Sequence, residues 1–157
     1  MRMPSPQREE DWLSHSEEET VRLGEKFGEQ FLRAGTVVCV SGELGAGKTH
    51  FIKGIAGSLG LDERELTSPT FALAHEFDGR LHGKPLRLYH LDCYRFEKPK
   101  ELLELGVEDY LYPTNAVTIV EWPERIASLI PDGAILVAME EISETERHIA
   151  IRQKKII

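Results

Sequence analysis

The chain has 157 residues, 41% of them hydrophobic, and a formal net charge of −8 at pH 7. This length fits one domain with a single substantial core, and the apolar content argues against global disorder. The acidic balance argues against a broad nucleic-acid-binding face. No apolar stretch approaches the roughly 20 residues that a membrane-spanning helix needs, and the polar N-terminus lacks the apolar region of a signal peptide. We therefore expect a cytoplasmic protein with no membrane segment.

The N-terminal part is expected to contain a tail and the first helix. Residues 1–11 are polar and carry two prolines, so we predict a flexible tail there and one folded domain over residues 12–157. Ser14 and Ser16 are both N-cap candidates, because an acidic residue follows each of them three positions later. The apolar pattern then continues the helix through about Arg33.

The most informative segment lies between a predicted strand over 36–41 and a predicted helix over 48–59. It reads G-x-x-x-x-G-K-T, the pattern of a phosphate-binding loop in this strand-to-helix context. Glycines let the backbone N–H groups turn toward a polyphosphate, and the helix adds the positive end of its dipole. We expect a nucleoside triphosphate site, with Lys48 at the outer phosphates and the Thr49 hydroxyl on Mg²⁺. The predicted binding residues are Gly42, Glu43, Leu44, Gly45, Ala46, Gly47, Lys48 and Thr49.

The second half of the chain alternates strands with short helices. Residues 72–77 and 86–91 have strand character, and Asp78-Gly79 between them predicts a turn, so part of the sheet is expected to be antiparallel. The pattern predicts an α/β fold, a P-loop NTPase-like mixed sheet flanked by helices in a single domain, with its ligand at the carboxyl ends of the strands. The later predicted elements are short helices over 101–105 and 108–111, a buried strand over 117–120, a helix over 123–130, and strands over 134–139 and 148–152.

Two carboxylates directly follow apolar strand patterns. Asp92 ends the strand over 86–91, and Glu121 ends the strand over 117–120. Both are expected to point into the crevice that holds the triphosphate. We assign Asp92 to the metal, and Glu121 to the attacking water or to a sensing role. Thr70, in a Ser-Pro-Thr segment, offers a hydroxyl for the γ-phosphate side, although the same three residues also form ordinary loops.

Four further side chains have either several possible roles or a purely structural one. His90 is either a proton relay or an ordinary strand residue. Trp122 either covers the nucleotide pocket, contacts a partner, or packs in the core. Cys39 and Cys93 lie in apolar or aromatic surroundings without C-x-x-C spacing, so we predict reduced structural thiols.

The motifs stand in an order that resembles a known bacterial family. The ordered set covers residues 13–152 and closely resembles the TsaE (YjeE) family, the small ATPase of tRNA threonylcarbamoyladenosine biosynthesis. The motifs that carry this resemblance are Gly42–Thr49, Ser68-Pro69-Thr70-Phe71, His90-Leu91-Asp92-Cys93-Tyr94-Arg95, Glu104-Leu105-Gly106 and Glu121-Trp122-Pro123-Glu124.

The resemblance implies ATP rather than a guanine nucleotide, with Mg²⁺ as the metal. It also implies the TsaD and TsaB proteins as partners, which transfer the threonylcarbamoyl group to position 37 of tRNA. ATP hydrolysis would reset their complex between turnovers, and tRNA would be contacted indirectly or weakly. The roles implied are Lys48 and Thr49 in the loop, Thr70 in a switch-like segment, Asp92 as a Walker-B-like acid and metal residue, and Glu121 with Trp122 near the nucleotide.

Three alternatives remain open from the residues. A small-metabolite kinase would need an Arg-rich lid, and none is visible between residues 99 and 152. A GTPase-like switch would need an N-K-x-D pattern, which the sequence lacks. A nucleotide-stabilised adaptor needs no hydrolysis. For an ATPase, Arg95 or a partner protein would supply a cation to the transition state.

Overall fold

The computed structural model describes residues 9–62 and 73–154. One seven-stranded mixed sheet forms its centre. Within these two ranges, no helix is both long enough and apolar enough to cross a membrane. The elements are β1 (Glu9–Ser14), α1 (Glu17–Phe31), β2 (Val37–Ser41), α2 (Lys48–Ser58), β3 (Ala74–Leu81), β4 (Lys84–Asp92), α3 (Pro99–Glu104), α4 (Glu108–Leu111), β5 (Ala116–Glu121), a 3₁₀ segment (Pro123–Leu129), β6 (Ile135–Glu141) and β7 (Arg147–Gln153).

The strand order places four parallel strands side by side. The order is β1-β7-β6-β2-β5-β4-β3. Strands β6, β2, β5 and β4 run parallel, whereas β3, β7 and β1 each pair antiparallel with a neighbour. Parallel strands bring their carboxyl ends to one edge of the sheet, which is the usual place for a ligand. The predicted mixed sheet is therefore confirmed.

Helices cover both faces of the sheet, and β2 shows how the sequence directs this. Its side chains alternate between two cores, as successive residues of a strand must. Val38 and Val40 belong to a core shared with α1 and α2. Val37 and Cys39 belong to a second core shared with α3, α4 and the 3₁₀ segment. This continuous apolar run, buried on both sides, is why β2 lies in the interior of the sheet.

Specific hydrogen bonds set the ends of the two long helices. The Ser16 hydroxyl accepts a hydrogen bond from the Glu19 N–H at 3.0 Å, so Ser16 is the N-cap of α1. At the end of α2, the Leu61 N–H donates to the Ala56 carbonyl and the Gly60 N–H to the Gly57 carbonyl. This pair of bonds is a Schellman motif, and it requires the positive φ of 74° that Gly60 adopts. Of the two predicted N-caps, Ser16 is confirmed and Ser14 is wrong, because Ser14 ends β1. The predicted stop at Gly60 is confirmed, whereas α1 ends at Phe31, two residues before the predicted end.

The predicted boundary of the N-terminal tail is wrong for its last three residues. Residues 9–11 belong to β1, which pairs along its length with β7. Arg152 donates to both carboxylate oxygens of Asp11, at 3.1 and 3.3 Å, and His148 contacts the same carboxylate at 3.0 Å. Arg152, followed by His148, lowers the pKa of Asp11. Trp12 packs against the core, but residues 9–11 are held by polar cross-strand pairs, so apolar patterning did not reveal the start of this edge strand. Residues 1–8 lie outside the described part.

The predicted turn at Asp78-Gly79 is also wrong, because both residues lie inside β3. The hairpin turn is His82-Gly83, where φ is 51° and 78°. Two positive φ values in a two-residue loop match the turn that suits the twist of a hairpin. Gly79 is instead required for close packing, because a Cβ at this position would lie 2.9 Å from the Leu59 carbonyl oxygen. Glycine therefore lets the sheet approach the end of α2 closely.

Glycines also let α1 and α2 approach each other closely. A Cβ built on Gly54 would lie 2.0 Å from the Val21 carbonyl oxygen and 2.8 Å from the Cα of Gly24. A Cβ on Gly24 would lie 2.2 Å from the Phe51 carbonyl oxygen. Real Cβ atoms do not tolerate such distances from backbone, so the two helices could not keep this separation with any larger residue at either position.

We expect Gly54→Ala to lower the free energy of unfolding by about 1–3 kcal/mol, because the helices must move apart. Gly57→Ala is the matched control on the same helix, since its Cβ would meet only Glu25 side-chain atoms, at 3.5 Å or more. That variant should gain up to about 1 kcal/mol from helix propensity. Urea unfolding followed by circular dichroism measures both. Equal effects of the two substitutions would contradict the proposed close contact.

Candidate functional site

A cavity of about 750 Å³ lies at the carboxyl edge of the parallel strands. Its walls come from the start of α1, the segment between β2 and α2, the ends of β4 and β5, and the connection between β6 and β7. The residues that line it are His15, Ser16, Glu17, Glu18, Thr20, Leu44, Gly45, Gly47, Lys48, Thr49, His50, Asp92, Tyr94, Glu121, Trp122, Glu144, Thr145 and Arg147.

The segment Gly42–Thr49, termed the glycine-rich loop below, depends on glycine at specific positions. Gly45 and Gly47 have φ values of 85° and 95°, which side chains with a Cβ rarely adopt. A Cβ on Gly42 would lie 2.6 Å from the Met139 carbonyl oxygen, so the loop also packs closely against β6. Gly47 is the N-cap of α2, and the positive end of that helix dipole faces the cavity. This end of the cavity is suited to an anion.

Lys48 adds a positive charge inside the loop. The residue is only 7% exposed, and its Nζ donates a hydrogen bond to the Gly42 carbonyl oxygen at 2.6 Å. The same Nζ lies 3.6 Å from the centroid of the Trp122 ring. A desolvated cation over a tryptophan face gains about 2 kcal/mol. Lys48 is thus held in place at the cavity wall by one carbonyl and one aromatic ring.

Trp122 reaches this position through an unusual backbone conformation. It directly follows β5 and has φ of 57° and ψ of 51°, the left-handed region. A non-glycine residue in a sparsely populated region costs about 1–3 kcal/mol, which the surrounding contacts must offset. Those contacts include Lys48 and the Tyr94 ring, whose centroid is 4.9 Å away. Trp122 therefore forms part of the cavity wall rather than only filling the core.

Asp92 and Thr49 both line the cavity and offer oxygen atoms to it. Asp92 ends β4, and one of its carboxylate oxygens accepts the Tyr94 N–H at 3.0 Å. Within the described ranges, no group of three or more His, Cys, Asp or Glu could hold a metal by itself. Mg²⁺ usually takes only one or two protein oxygens and leaves its other positions to water and phosphate. The Thr49 hydroxyl and the Asp92 carboxylate fit that donor set.

Glu121 lies beside Asp92 and is bound to a histidine. The two acids occupy partner positions in the parallel register of β4 and β5. His90 Nε2 lies 2.7 Å from the Glu121 Oε2, and the two side chains are only 19% and 15% exposed. His75, the register partner of His90 on β3, has its pKa lowered by burial and then by the charge of His90. Of the two acids, Glu121 is the more enclosed.

Arg147 was missed from the sequence although it lines the cavity. It begins β7, and its guanidinium donates to the Gly45 carbonyl at 3.1 Å and to the Ser143 carbonyl at 2.8 Å. It thereby joins the connection after β6 to the glycine-rich loop, which is 102 residues away in sequence. A single arginine in a charged segment carries no signal of such a contact. That the start of α1 lines the cavity was likewise not predicted, because this too depends on contacts between distant parts of the chain.

Most of the predicted site residues come together. Gly42, Glu43 and Ala46 belong to the glycine-rich loop without being among the lining residues, and Thr70 lies outside the described residues. Arg95, the predicted source of a cation, lies over the Phe96 ring at 5.5 Å and is not a lining residue. The predicted residues that line the cavity are Leu44, Gly45, Gly47, Lys48, Thr49, Asp92, Glu121 and Trp122.

The sequence model of one family, described as threonylcarbamoyl adenosine biosynthesis protein TsaE, matches residues 14–149. The chain belongs to the TsaE family. A TsaE from Treponema pallidum is 37% identical over 139 residues, which cover 88% of this chain and 97% of that protein. TsaE proteins of Bacillus subtilis and Mycobacterium bovis are 35% and 40% identical, over 88% and 85% of this chain and 82% and 80% of theirs. The predicted family is confirmed.

A solved structure supports the same assignment of fold. The crystal structure of Bacillus subtilis YdiB has a TM-score of 0.74 with this chain and is 29% identical in sequence. The likeness covers 96% of this chain and 88% of YdiB. The single α/β domain with its mixed sheet is therefore shared with YdiB.

Two buried cysteines lie just behind the site, Cys39 on β2 and Cys93 directly after Asp92. Burial is the main cause that raises the pKa of each thiol from 9.0 to about 12. For Cys93 the nearby Asp92 charge adds to this effect. Both thiols therefore stay protonated in the folded protein at neutral pH, as the sequence predicts for structural cysteines.

We expect Ellman's reagent to modify the folded protein very slowly at pH 8 and to modify both thiols at once in guanidinium. The stability that the protonated thiols contribute is fully present below the unfolded pKa of about 8.5 and is lost as the pH rises toward about 12. The free energy of unfolding should therefore be lower at pH 10 than at pH 8. A Cys39→Ala/Cys93→Ala variant should lose less over this interval. Rapid modification of the folded protein would contradict the burial of these thiols.

Proposed function

We propose that this protein is a Mg²⁺-dependent ATPase that supports the threonylcarbamoyladenosine modification at position 37 of tRNA. It would bind the TsaB–TsaD complex and hydrolyse ATP to reset that complex between turnovers. Family membership supports the role in threonylcarbamoyladenosine biosynthesis. The hydrolytic activity is supported by the cavity, where a lysine, a glycine-rich loop and two acids face the same space.

The observation that carries the proposal is the arrangement of opposite charges around this cavity. Lys48 and the start of α2 bring positive charge to the glycine-rich loop, whereas Asp92 and Glu121 make the neighbouring wall acidic. Three further glutamates line other parts of the cavity. A triphosphate needs the positive loop, and a metal ion and a water molecule need the acidic wall beside it. A cavity that bound only a neutral ligand would gain nothing from holding a buried cation beside two carboxylates.

Each residue then has a distinct task. Lys48 and the N–H groups of the glycine-rich loop bind the phosphates, and Trp122 closes the wall beside them. Thr49 and Asp92 would hold Mg²⁺, which neutralises charge that develops on the phosphate oxygens. Glu121 aligns the attacking water. Thr70 remains a predicted contact on the γ-phosphate side.

We expect low activity from the protein alone. Arg147 lines the cavity, but its guanidinium donates to loop carbonyls, including those of Gly45 and Ser143. Arg95 is not a lining residue. A cation supplied by another protein raises hydrolysis by about 10³–10⁵ in comparable phosphate-binding enzymes. The TsaB–TsaD complex is the proposed source of that cation.

The deciding experiment measures ATP hydrolysis by the purified protein, alone and then with TsaB, TsaD and tRNA. We expect slow turnover that rises on addition of the partners. Lys48→Met should abolish it by removing the charge while keeping the aliphatic stem, and Lys53→Met, on the same helix but outside the cavity lining, is the matched control. Fast hydrolysis by the protein alone, unchanged by the partners, would contradict the proposed role of resetting the TsaB–TsaD complex. Wild-type turnover by Lys48→Met would contradict the phosphate site.

The metal assignment is tested with Asp92→Asn. This variant keeps the shape of the side chain but loses its charge, so the Mg²⁺ concentration for half-maximal turnover should rise by about tenfold or more. Asp132→Asn is the control, because that aspartate pairs with Lys154 at 3.6 Å and does not line the cavity. An unchanged Mg²⁺ dependence in Asp92→Asn would move the metal role to Glu121.

A further inference from the structure

We propose that His90 is a positioning residue that orients the Glu121 carboxylate for its work on water. This inference rests on the proposed ATPase function. His90 is not a cavity-lining residue, whereas Glu121 is, so His90 acts on the reaction only through Glu121. The sequence leaves His90 open between a proton relay and an ordinary strand residue, and its contact with Glu121 points to a third role.

The contact between the two side chains is short and enclosed. The His90 Nε2 and the Glu121 Oε2 are 2.7 Å apart. An ionised carboxylate can only accept, so Nε2 is the donor, and a hydrogen bond to a charged group is about twice as strong as one between neutral groups. With side chains 19% and 15% exposed, the bond is partly protected from competing water. It therefore fixes one oxygen of Glu121.

The strand register explains why Glu121 needs such a bond. Asp92 and Glu121 are register partners on β4 and β5, and like charges directly opposite each other repel. His90 precedes Asp92 by two residues, so both project from the same face of β4. A bond to His90 holds the Glu121 carboxylate back along the strand, away from Asp92. The two acids can then serve different tasks, one at the metal and one at water.

A second histidine ring lies on the far side of His90 from Glu121. Its register partner on β3 is His75, whose ring centroid is 6.4 Å from that of His90. His75 also stacks on Phe77, with centroids 6.3 Å apart. A free glutamate side chain has several rotamers of similar energy, and ordering it costs conformational entropy. Because of its bond to His90, the Glu121 side chain is already ordered before a ligand binds.

The test compares His90→Gln with His90→Asn. The glutamine amide can place a donor near the position of Nε2, whereas the asparagine amide is too short to reach Glu121. Wild type and both variants are assayed for ATP turnover with TsaB, TsaD and tRNA. We expect His90→Asn to lower kcat by about 10–100-fold with KM changed less than about twofold, and His90→Gln to restore most of the loss.

His148→Gln is the matched control. His148 also places its Nε2 against a carboxylate, that of Asp11 at 3.0 Å, but it lies in β7 and outside the cavity lining. The kcat of His148→Gln should equal that of the wild type. Urea unfolding of all three variants separates positioning from stability: loss of kcat in His90→Asn and His90→Gln alike, in step with lost stability, would overturn the proposal.

A double-mutant cycle tests whether His90 acts through Glu121. If it does, His90→Asn/Glu121→Gln should be no slower than Glu121→Gln alone, because the acid that His90 positions is already lost. A further loss in the double variant would overturn the proposal and give His90 a task of its own.

A measurement without ATP keeps this inference separate from the proposed function. With ¹³C-labelled glutamate, the Glu121 carboxylate resonance should shift in His90→Asn and return toward its wild-type position in His90→Gln. An unmoved resonance would overturn the positioning role whatever the protein hydrolyses. Absence of ATP turnover in the wild type, with the expected resonance shifts, would instead overturn the proposed ATPase function alone.

Discussion

The placement of β2 is the constraint on which the rest of the structure depends. Its apolar side chains are buried on both faces, so it must lie inside the sheet between parallel neighbours. That position brings the end of β2 to the same edge as the ends of β4 and β5. The glycine-rich loop therefore emerges beside Asp92 and Glu121, and a cavity with a positive loop beside an acidic wall results. The site follows from burial of one short strand.

The two acids of the site also differ in what holds them in place. Asp92 and Glu121 occupy adjacent register positions, yet each has a different partner. Asp92 accepts a backbone N–H, whereas Glu121 is bound to His90. Lys48 is likewise held by a carbonyl and an aromatic ring rather than by a carboxylate. Each of these three side chains thus has a partner of its own.

The sequence predicted those features that depend on local pattern. The loop, the helix caps and the ends of β4 and β5 are all encoded within a few residues, and each was predicted close to its observed position. Features that depend on distant contacts were missed or misplaced. β1 is held by polar pairs with β7, Arg147 contacts a loop far away in the chain, and Gly79 is a glycine because of α2 rather than because of a turn.

The glycine contact between α1 and α2 has a mechanical consequence. The first turns of both helices border the cavity, and at Gly24 and Gly54 the two backbones pack directly against each other with no side chain between them. We expect the two helices to move together, because their backbones are in direct contact at these glycines. A change in the width of the cavity would then come from lining residues on other elements, such as the exposed Tyr94.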